Sequence, residues 1–228
     1  MPDTPLPLLA TLGYTVFRDP ALLEAALTHR SAGRKHNERL EFLGDSVVNF
    51  VVGAALYRDK PKLNEGQLTR QRAALVRRET LAEISREIRL GDYLVLGGGE
   101  MKSGGHTRES ILADGFEAIV GAIYLDGGFT AAEQVVLKLF AQRLHDLPDA
   151  SMLKDPKTRL QEWLQGKGLA LPEYRLKATT GQSHIQQFTV ACVVATLGVE
   201  AKGQGSSKRR AEQASAEAML LKLHNENA

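Results

Sequence analysis

Two groups of carboxylates stand where a folded chain needs a reason to keep them. Glu38, Glu41 and Asp45 lie in the stretch NERLEFLGDSVVNFVVGAALY, residues 37–57, and Asp114 and Glu117 lie in ESILADGFEAIVGAIYLD. Spacings of three and four residues put each group on one face of a helix. Buried carboxylates are costly unless they are paired with cations, protonated or bound to metal. The first segment has no lysine, and only Arg39 and Arg58 are near. Four of these oxygen donors, Glu41, Asp45, Asp114 and Glu117, from two adjoining helices suit a hard divalent cation, Mg²⁺ or Mn²⁺, that keeps some waters and takes phosphate oxygens from a substrate. The chemistry open to such a centre is phosphodiester hydrolysis, with one ion activating water and another stabilising the leaving oxygen. Solvated or salt-bridged surface positions explain any one of these acids well, but explain two clusters together poorly.

The elements that must hold the acids can be read from periodicity. Residues 37–57 contain no proline and span about five helical turns. Leu40, Leu43, Val47, Phe50, Val51 and Ala54 fall opposite the acids and are expected to face the core. Val48 and Val52 lie near the acidic side, so the second half is apolar nearly all round. Asn37 is placed to cap this helix. In the second segment Ala118 and Gly121 share the face of Asp114 and Glu117, small enough for another backbone to come close. Leu112, Phe116, Ile119 and Ile123 form its opposite, core-facing stripe.

Around these two helices the pattern stays helical. Leu6, Leu8, Leu9 and Leu12 mark one short amphipathic segment, and Leu22, Leu23, Ala26 and Leu27 another, with Asp19-Pro20 as its start signal. Further helices are expected over Leu63–Val76, Glu79–Ile88 and Thr130–Leu144. The first of these carries Glu65, Arg70 and Arg72. His29 and His36 flank the loop SAGRKHN and read as loop residues rather than metal ligands. The glycine-rich run from Gly91 to His106 lacks G-x-x-x-x-G-K-[ST], so no nucleotide cofactor is inferred. Its position just before the Asp114 helix makes Lys102 and Arg108 candidate phosphate contacts.

From His145 to Pro156 the periodicity stops at a linker marked by Pro148, Asp149, Ser151, Asp155 and Pro156. Beyond it lie a short helix over Lys157–Gln165, three alternating strands over Tyr174–Thr179, Gln187–Val194 and Gly198–Gly203, and a final helix over Ala211–His224. The sequence GQSH at 181–184 supplies the first turn. The expected organisation is a helical domain over 1–147, a linker over 148–154 and a small α+β domain over 155–228. Charge divides in the same way. Residues 1–150 hold 18 Lys+Arg against 20 Asp+Glu, net −2, and residues 151–228 hold 11 against 7, net +4. Ser206, Ser207, Lys208, Arg209 and Arg210 cluster at the start of the final helix, where free N–H groups and the helix dipole favour phosphate.

The chain has 228 residues, 43% of them hydrophobic and 25% charged, the composition of an ordinary globular protein. Its one cysteine, Cys192 in FTVACVV, excludes a disulfide within the chain and reads as a reduced strand residue. There is no run of 18 apolar residues, and the N-terminus lacks the pattern of a signal peptide, so a cytoplasmic protein with no membrane association is expected.

ERLEFLGDS at 38–46 resembles the signature of bacterial ribonuclease III, and GQLTRQRAALV at 66–76, GGGEMKSGG at 97–105 and RESILADGFEAIVGAIYLD at 108–126 resemble that family's other endonuclease blocks. Residues 155–224 resemble a double-stranded RNA-binding domain. The resemblance implies a multidomain α and α+β protein, with an all-α endonuclease domain followed by an α-β-β-β-α domain. It implies that Glu41, Asp114 and Glu117 hold catalytic Mg²⁺, that Asp45 completes the acidic centre, and that Glu38 and Glu65 line the same cleft. It also implies a homodimer in which Phe42 packs across the two-fold.

In the second domain the resemblance implies that Thr158, Gln161 and Glu162 meet one minor groove of A-form RNA and His184 the next, with Lys208 and Arg209 on the intervening phosphates. Glu212 stands where many such domains have a further lysine. The implied activity is cleavage of both strands of double-stranded RNA to 5′-phosphate and 3′-hydroxyl ends, in the processing of ribosomal RNA precursors and structured messengers. Two other readings compete: an RNA-binding protein whose helical domain only dimerises, and a metal-dependent phosphohydrolase of nucleotides with a basic tail. The full acid set of Glu41, Asp45, Asp114 and Glu117 speaks against the first.

Overall fold

The computed structural model describes residues 6–33, 35–148, 153–181 and 186–225. The chain forms two compact units, residues 1–150 and 151–228. Each has its own apolar core.

The first unit holds α1 (Leu6–Leu12), α2 (Pro20–Leu27), α3 (Glu38–Asp59), α4 (Glu65–Val76), α5 (Arg78–Glu87), α6 (Gly98–Lys102) and α7 (Glu109–His145). Local chemistry explains several of the boundaries. Asp19 caps α2 by accepting the Ala21 N–H, with Pro20 in the first turn where its missing donor costs nothing. Asn64 and Gln67 close a reciprocal capping box at α4. The two helices expected on either side of residue 128 are one run, α7, broken only at Gly128, whose φ of 78° is open to glycine. The helix α7 is the centre of the unit: Leu112, Phe116, Ile119 and Ile123 are buried as expected, and so are Ala118 and Gly121 on the acidic side.

Glycine sets how closely α3 and α7 approach. A Cβ on Gly44 would overlap the Glu117 carbonyl oxygen, and one on Gly121 would overlap the Leu40 carbonyl oxygen. The two backbones therefore touch at the turn that carries the acids. That contact turns α3 relative to the sequence expectation. Gly44, Val47, Val48, Val51, Val52, Ala55 and Leu56 are buried, whereas Phe50 is 63% exposed and Ala54 also faces outward. A helix apolar nearly all round does not tell which side meets its neighbour; the glycine does. By length and composition α3 is apolar enough to cross a membrane, but its buried residues belong to the core built on α7.

Asn37 stands at the N-cap of α3 as expected, but its side chain does not do the capping. It has helical φ and ψ of −79° and −12°, and its side chain makes no cap bond. Its carbonyl oxygen accepts the Glu41 N–H at 2.8 Å, so the helical bonding starts at Asn37 itself. Elsewhere in the unit the buried Asp126 carboxylate is fully used. It accepts the Tyr14 hydroxyl at 2.5 Å and the backbone N–H groups of Arg18 and Asp19 at 3.0 and 2.8 Å, which ties α7 to the segment before α2.

The second unit is α8 (Pro156–Gly166), β1 (Glu173–Thr180), β2 (Gln187–Val194), β3 (Val199–Gly205) and α9 (Lys208–Asn225). The strands form an antiparallel sheet in the order β1-β2-β3, with Cys192 opposite Tyr174 on one side and Ala201 on the other. Leu160 and Leu164 of α8 and Ala216, Met219, Leu220 and Leu223 of α9 cover one face of it, around Cys192 and Val194. Gly203 lets α9 approach the sheet, since a Cβ there would overlap the Ser215 backbone nitrogen. Cys192 is free and buried, and burial raises its thiol to about 11, so it packs as a small apolar group.

Candidate metal centre and RNA-binding surface

Glu41 projects from the first turns of α3, and Asp114 and Glu117 from the first third of α7. One carboxylate oxygen from each lies within 4.8 Å of the others. Asp45, one turn after Glu41, is exposed and accepts a 2.8 Å bond from the Asn49 amide. It is near enough to raise the proton affinity of Glu117 but is not one of the three converging groups.

The electrostatics mark the site as short of positive charge. Burial, then the charges of Asp45, Glu41 and Asp114, push Glu117 up to about 8 against a weak opposing effect of Arg78. Glu41 is raised by burial and by Asp114, Glu38 and Asp45, with Arg30 acting the other way. Asp114 is raised by burial despite Arg78, His29 and Arg30. Three carboxyl groups that all resist ionisation, with oxygens close enough to share one ion, form a donor set for a hard divalent cation. Cation binding would displace the protons.

Beside the acids is a cavity of about 230 Å³ whose lining includes Glu38, Glu41 and Asp114 together with His29, Arg30 and Arg108. Glu38 is held by Arg30 at 3.0 Å, with the His36 ring at 3.6 Å. Arg108 is paired with Glu100 and also reaches the Ser103 hydroxyl.

The helical unit matches the model of a Ribonuclease-III-like family over residues 19–144, and residues 156–223 match that of the double-stranded RNA binding motif. The chain is 55% identical to Ribonuclease 3 of Vibrio cholerae, over 96% of each chain, and 54% identical to Ribonuclease 3 of Vibrio vulnificus, over 94% and 95%. The chain belongs to the ribonuclease III family. Two solved structures of the nuclease domain of ribonuclease III from Campylobacter jejuni align with TM-scores of 0.60 and 0.58, at 40% and 43% identity. They cover 65% and 60% of this chain and 100% and 95% of their own. A ribonuclease III is an endoribonuclease of double-stranded RNA and depends on metal. This membership answers the two competing readings of the sequence.

Within the chain the other expected residues are distributed unevenly. Arg108 lines the cavity; Lys102 ends α6, exposed, outside it. Glu65 sits in the first turn of α4, accepts the Thr69 hydroxyl at 2.8 Å and is not among the cavity residues of the single chain. Phe42 is 79% exposed on the outer face of α3, with Phe50 and Tyr57 along the same stripe. In the second unit Thr158, Gln161 and Glu162 are exposed on α8, and Ser206, Lys208 and Arg209 are exposed at the start of α9. The Ser206 hydroxyl accepts a bond from the Arg210 side chain, and the Glu162 carboxylate accepts both its bonds from Lys154, at 2.6 Å each. Glu212 is held by Lys157 at 2.6 Å. His184 lies outside the described residues. Arg30 and Glu100 were missed in the sequence because their partners, Glu38 and Arg108, stand across loops and leave no periodic signal; Asn49, one helical turn after Asp45, was at a spacing that could have shown the pair.

Proposed function

We propose that the chain is a cytoplasmic homodimer that hydrolyses double-stranded RNA with Mg²⁺, replaceable by Mn²⁺, to 5′-phosphate and 3′-hydroxyl ends. Its substrates in this reading are ribosomal RNA precursors and structured messengers. The observation that carries it is the convergence of Glu41, Asp114 and Glu117 within 4.8 Å. These three residues hold the cation, and Asp45 stands at the open edge of the centre. Bound by these carboxylates, Mg²⁺ would supply positive charge against the scissile phosphate and a site at which water is activated. Water adds to phosphorus as the bond to the 3′ oxygen breaks; the 3′ oxygen leaves with a proton as the upstream 3′-hydroxyl, and the phosphate stays on the 5′ oxygen of the downstream product.

Glu38 shapes the wall of the cleft, and Arg108 and Lys102 meet flanking phosphates. The second unit grips the duplex by shape: Thr158, Gln161 and Glu162 on a minor groove, Lys208 and Arg209 on phosphates, with Ser206 beside them. The exposed stripe of Phe42, Phe50 and Tyr57 supports the homodimer, since large apolar side chains in a row mark an interface. One of the two Campylobacter nuclease domains is likewise described as flexible in a region involved in dimer formation.

The test is a long perfect RNA duplex with and without Mg²⁺, using Glu117→Gln as the variant. Cleavage by the variant is expected to fall by more than about 100-fold, the upper end of what losing even an outer-shell partner costs. Duplex binding should survive. Cutting at the parental rate by Glu117→Gln would overturn the metal assignment.

A further inference from the structure

Asn37 is 2% exposed, and its main chain is fully committed. Its N–H donates to the Thr28 carbonyl at 2.9 Å and its carbonyl accepts the Glu41 N–H at 2.8 Å. The side chain is not. Its Nδ2 is buried and meets no acceptor among the described residues, and Asn37 lines the cavity shared with Glu41 and Asp114. The ordinary reason for asparagine at this position, capping the helix, does not apply, because its helical backbone keeps the side chain from folding back onto the first-turn N–H groups. A buried donor without an acceptor is costly in a folded protein, and such a group calls for an explanation.

The cavity supplies one. Glu41 and Asp114 line it together with His29, Arg30 and Arg108, the two arginines being paired with Glu38 and Glu100, which also line it. With a divalent cation bound to Glu41 and Asp114, a cavity that also holds two arginines and a neutral amide donor would fit a phosphodiester. We propose that Asn37 is a substrate-positioning residue, its Nδ2 donating to a non-bridging oxygen of the RNA phosphate that enters this cavity beside the acidic centre. Its donor is neutral, so it orients the phosphate without competing with the cation for the carboxylates. This inference rests on the metal-dependent RNA cleavage proposed above.

The test compares Asn37→Ala and Asn37→Asp with the parent in the full-length protein, by three readouts. These are Mn²⁺ affinity measured without RNA, thermal stability, and single-turnover cleavage of a duplex at saturating Mn²⁺. Loss of a hydrogen bond to a charged group predicts single-turnover rates lower by about 10- to 100-fold for Asn37→Ala. Its Mn²⁺ affinity should stay within about twofold of the parent. Asn37→Asp, which keeps the shape but adds a charge that repels phosphate, should be slower still while binding Mn²⁺ at least as tightly.

Three results would overturn the proposal: parental cleavage by Asn37→Ala, a rate loss matched by an equal loss of Mn²⁺ affinity, or a rate loss that vanishes at a temperature where both proteins are fully folded. The second would make Asn37 a support for Glu41, and the third a structural residue. None of these touches the metal assignment, which stands or falls on Glu117→Gln.

Discussion

Two carboxylates in the same helix show how the surroundings decide what an acid does. Asp126 is buried, which by itself would raise its pKa, yet bonds from Tyr14, Arg18 and Asp19 hold it below the usual carboxylate range. Its contribution to stability is present above the ordinary aspartate pKa and is lost as pH falls through the lowered one. Glu117 is the reverse case. With its pKa moved from 4.5 to about 8, the folded protein holds a proton that the unfolded chain releases between those values. Metal-free stability therefore falls as pH rises from about 4.5 to about 8. Glu41 and Asp114 shift in the same direction and add to the slope. Glu117→Gln removes the largest part, so in EDTA the variant should be less pH-sensitive than the parent and the more stable of the two at pH 8. Denaturant titrations at pH 5 and pH 8 measure this directly. Equal slopes for the two proteins would mean that burial does not hold Glu117 against ionisation.

At the scale of elements, the acids converge because α3 and α7 touch at glycine. Gly44→Ala places a methyl group against the Glu117 carbonyl oxygen and forces the helices apart at the turn that carries Glu41 and Glu117. Overpacking of this kind costs about 1–3 kcal/mol. Because the same displacement spreads the ligand oxygens, Mn²⁺ affinity should fall as well, whereas Ser46→Ala on the exposed face of α3 should leave both unchanged. A Gly44→Ala protein that is destabilised but binds Mn²⁺ normally would show that helix spacing does not set the centre.

Much of this arrangement could be read from the sequence. The acids stood at helical spacing, Ala118 and Gly121 announced a close approach, and Asp19-Pro20 marked a helix start that the structure reproduces. The orientation of α3 was not legible. Its apolar residues surround the helix, so periodicity favoured Phe50 and Ala54 for the core, and only the contact at Gly44 turns them outward. The roles of Arg30 and Glu100 were hidden for a related reason. Their pairing with Glu38 and Arg108 depends on how loops fold back, which no repeat in the chain encodes. Asn37 was legible as the N-cap residue of α3, but the missing side-chain bond was not, because it depends on backbone angles that the sequence does not display.

For the whole molecule, charge separates the work. The helical unit has net charge −2 and concentrates its acids where RNA must come, so it gains little from long-range attraction to a polyanion. The second unit, at net +4, supplies that attraction. Within it, Glu212, Glu217 and Glu162 are taken up by Lys157, Arg159 and Lys154, while Lys208 and Arg209 make no ion pair among the described residues. These two cations are therefore free to meet phosphate without first breaking a bond. Each phosphate contact releases condensed counterions and contributes about one unit to the slope of log affinity against log salt. The double variant Lys208→Ala/Arg209→Ala should lower that slope by about two, weaken duplex binding most at low salt and raise KM. The rate at saturating RNA should stay near the parental value, since the acids lie in the other unit. Duplex-binding titrations from low to moderate salt give the slope. An unchanged slope would remove Lys208 and Arg209 from the phosphate-binding surface, and a lowered saturating rate with an unchanged slope would make them part of the cutting step instead.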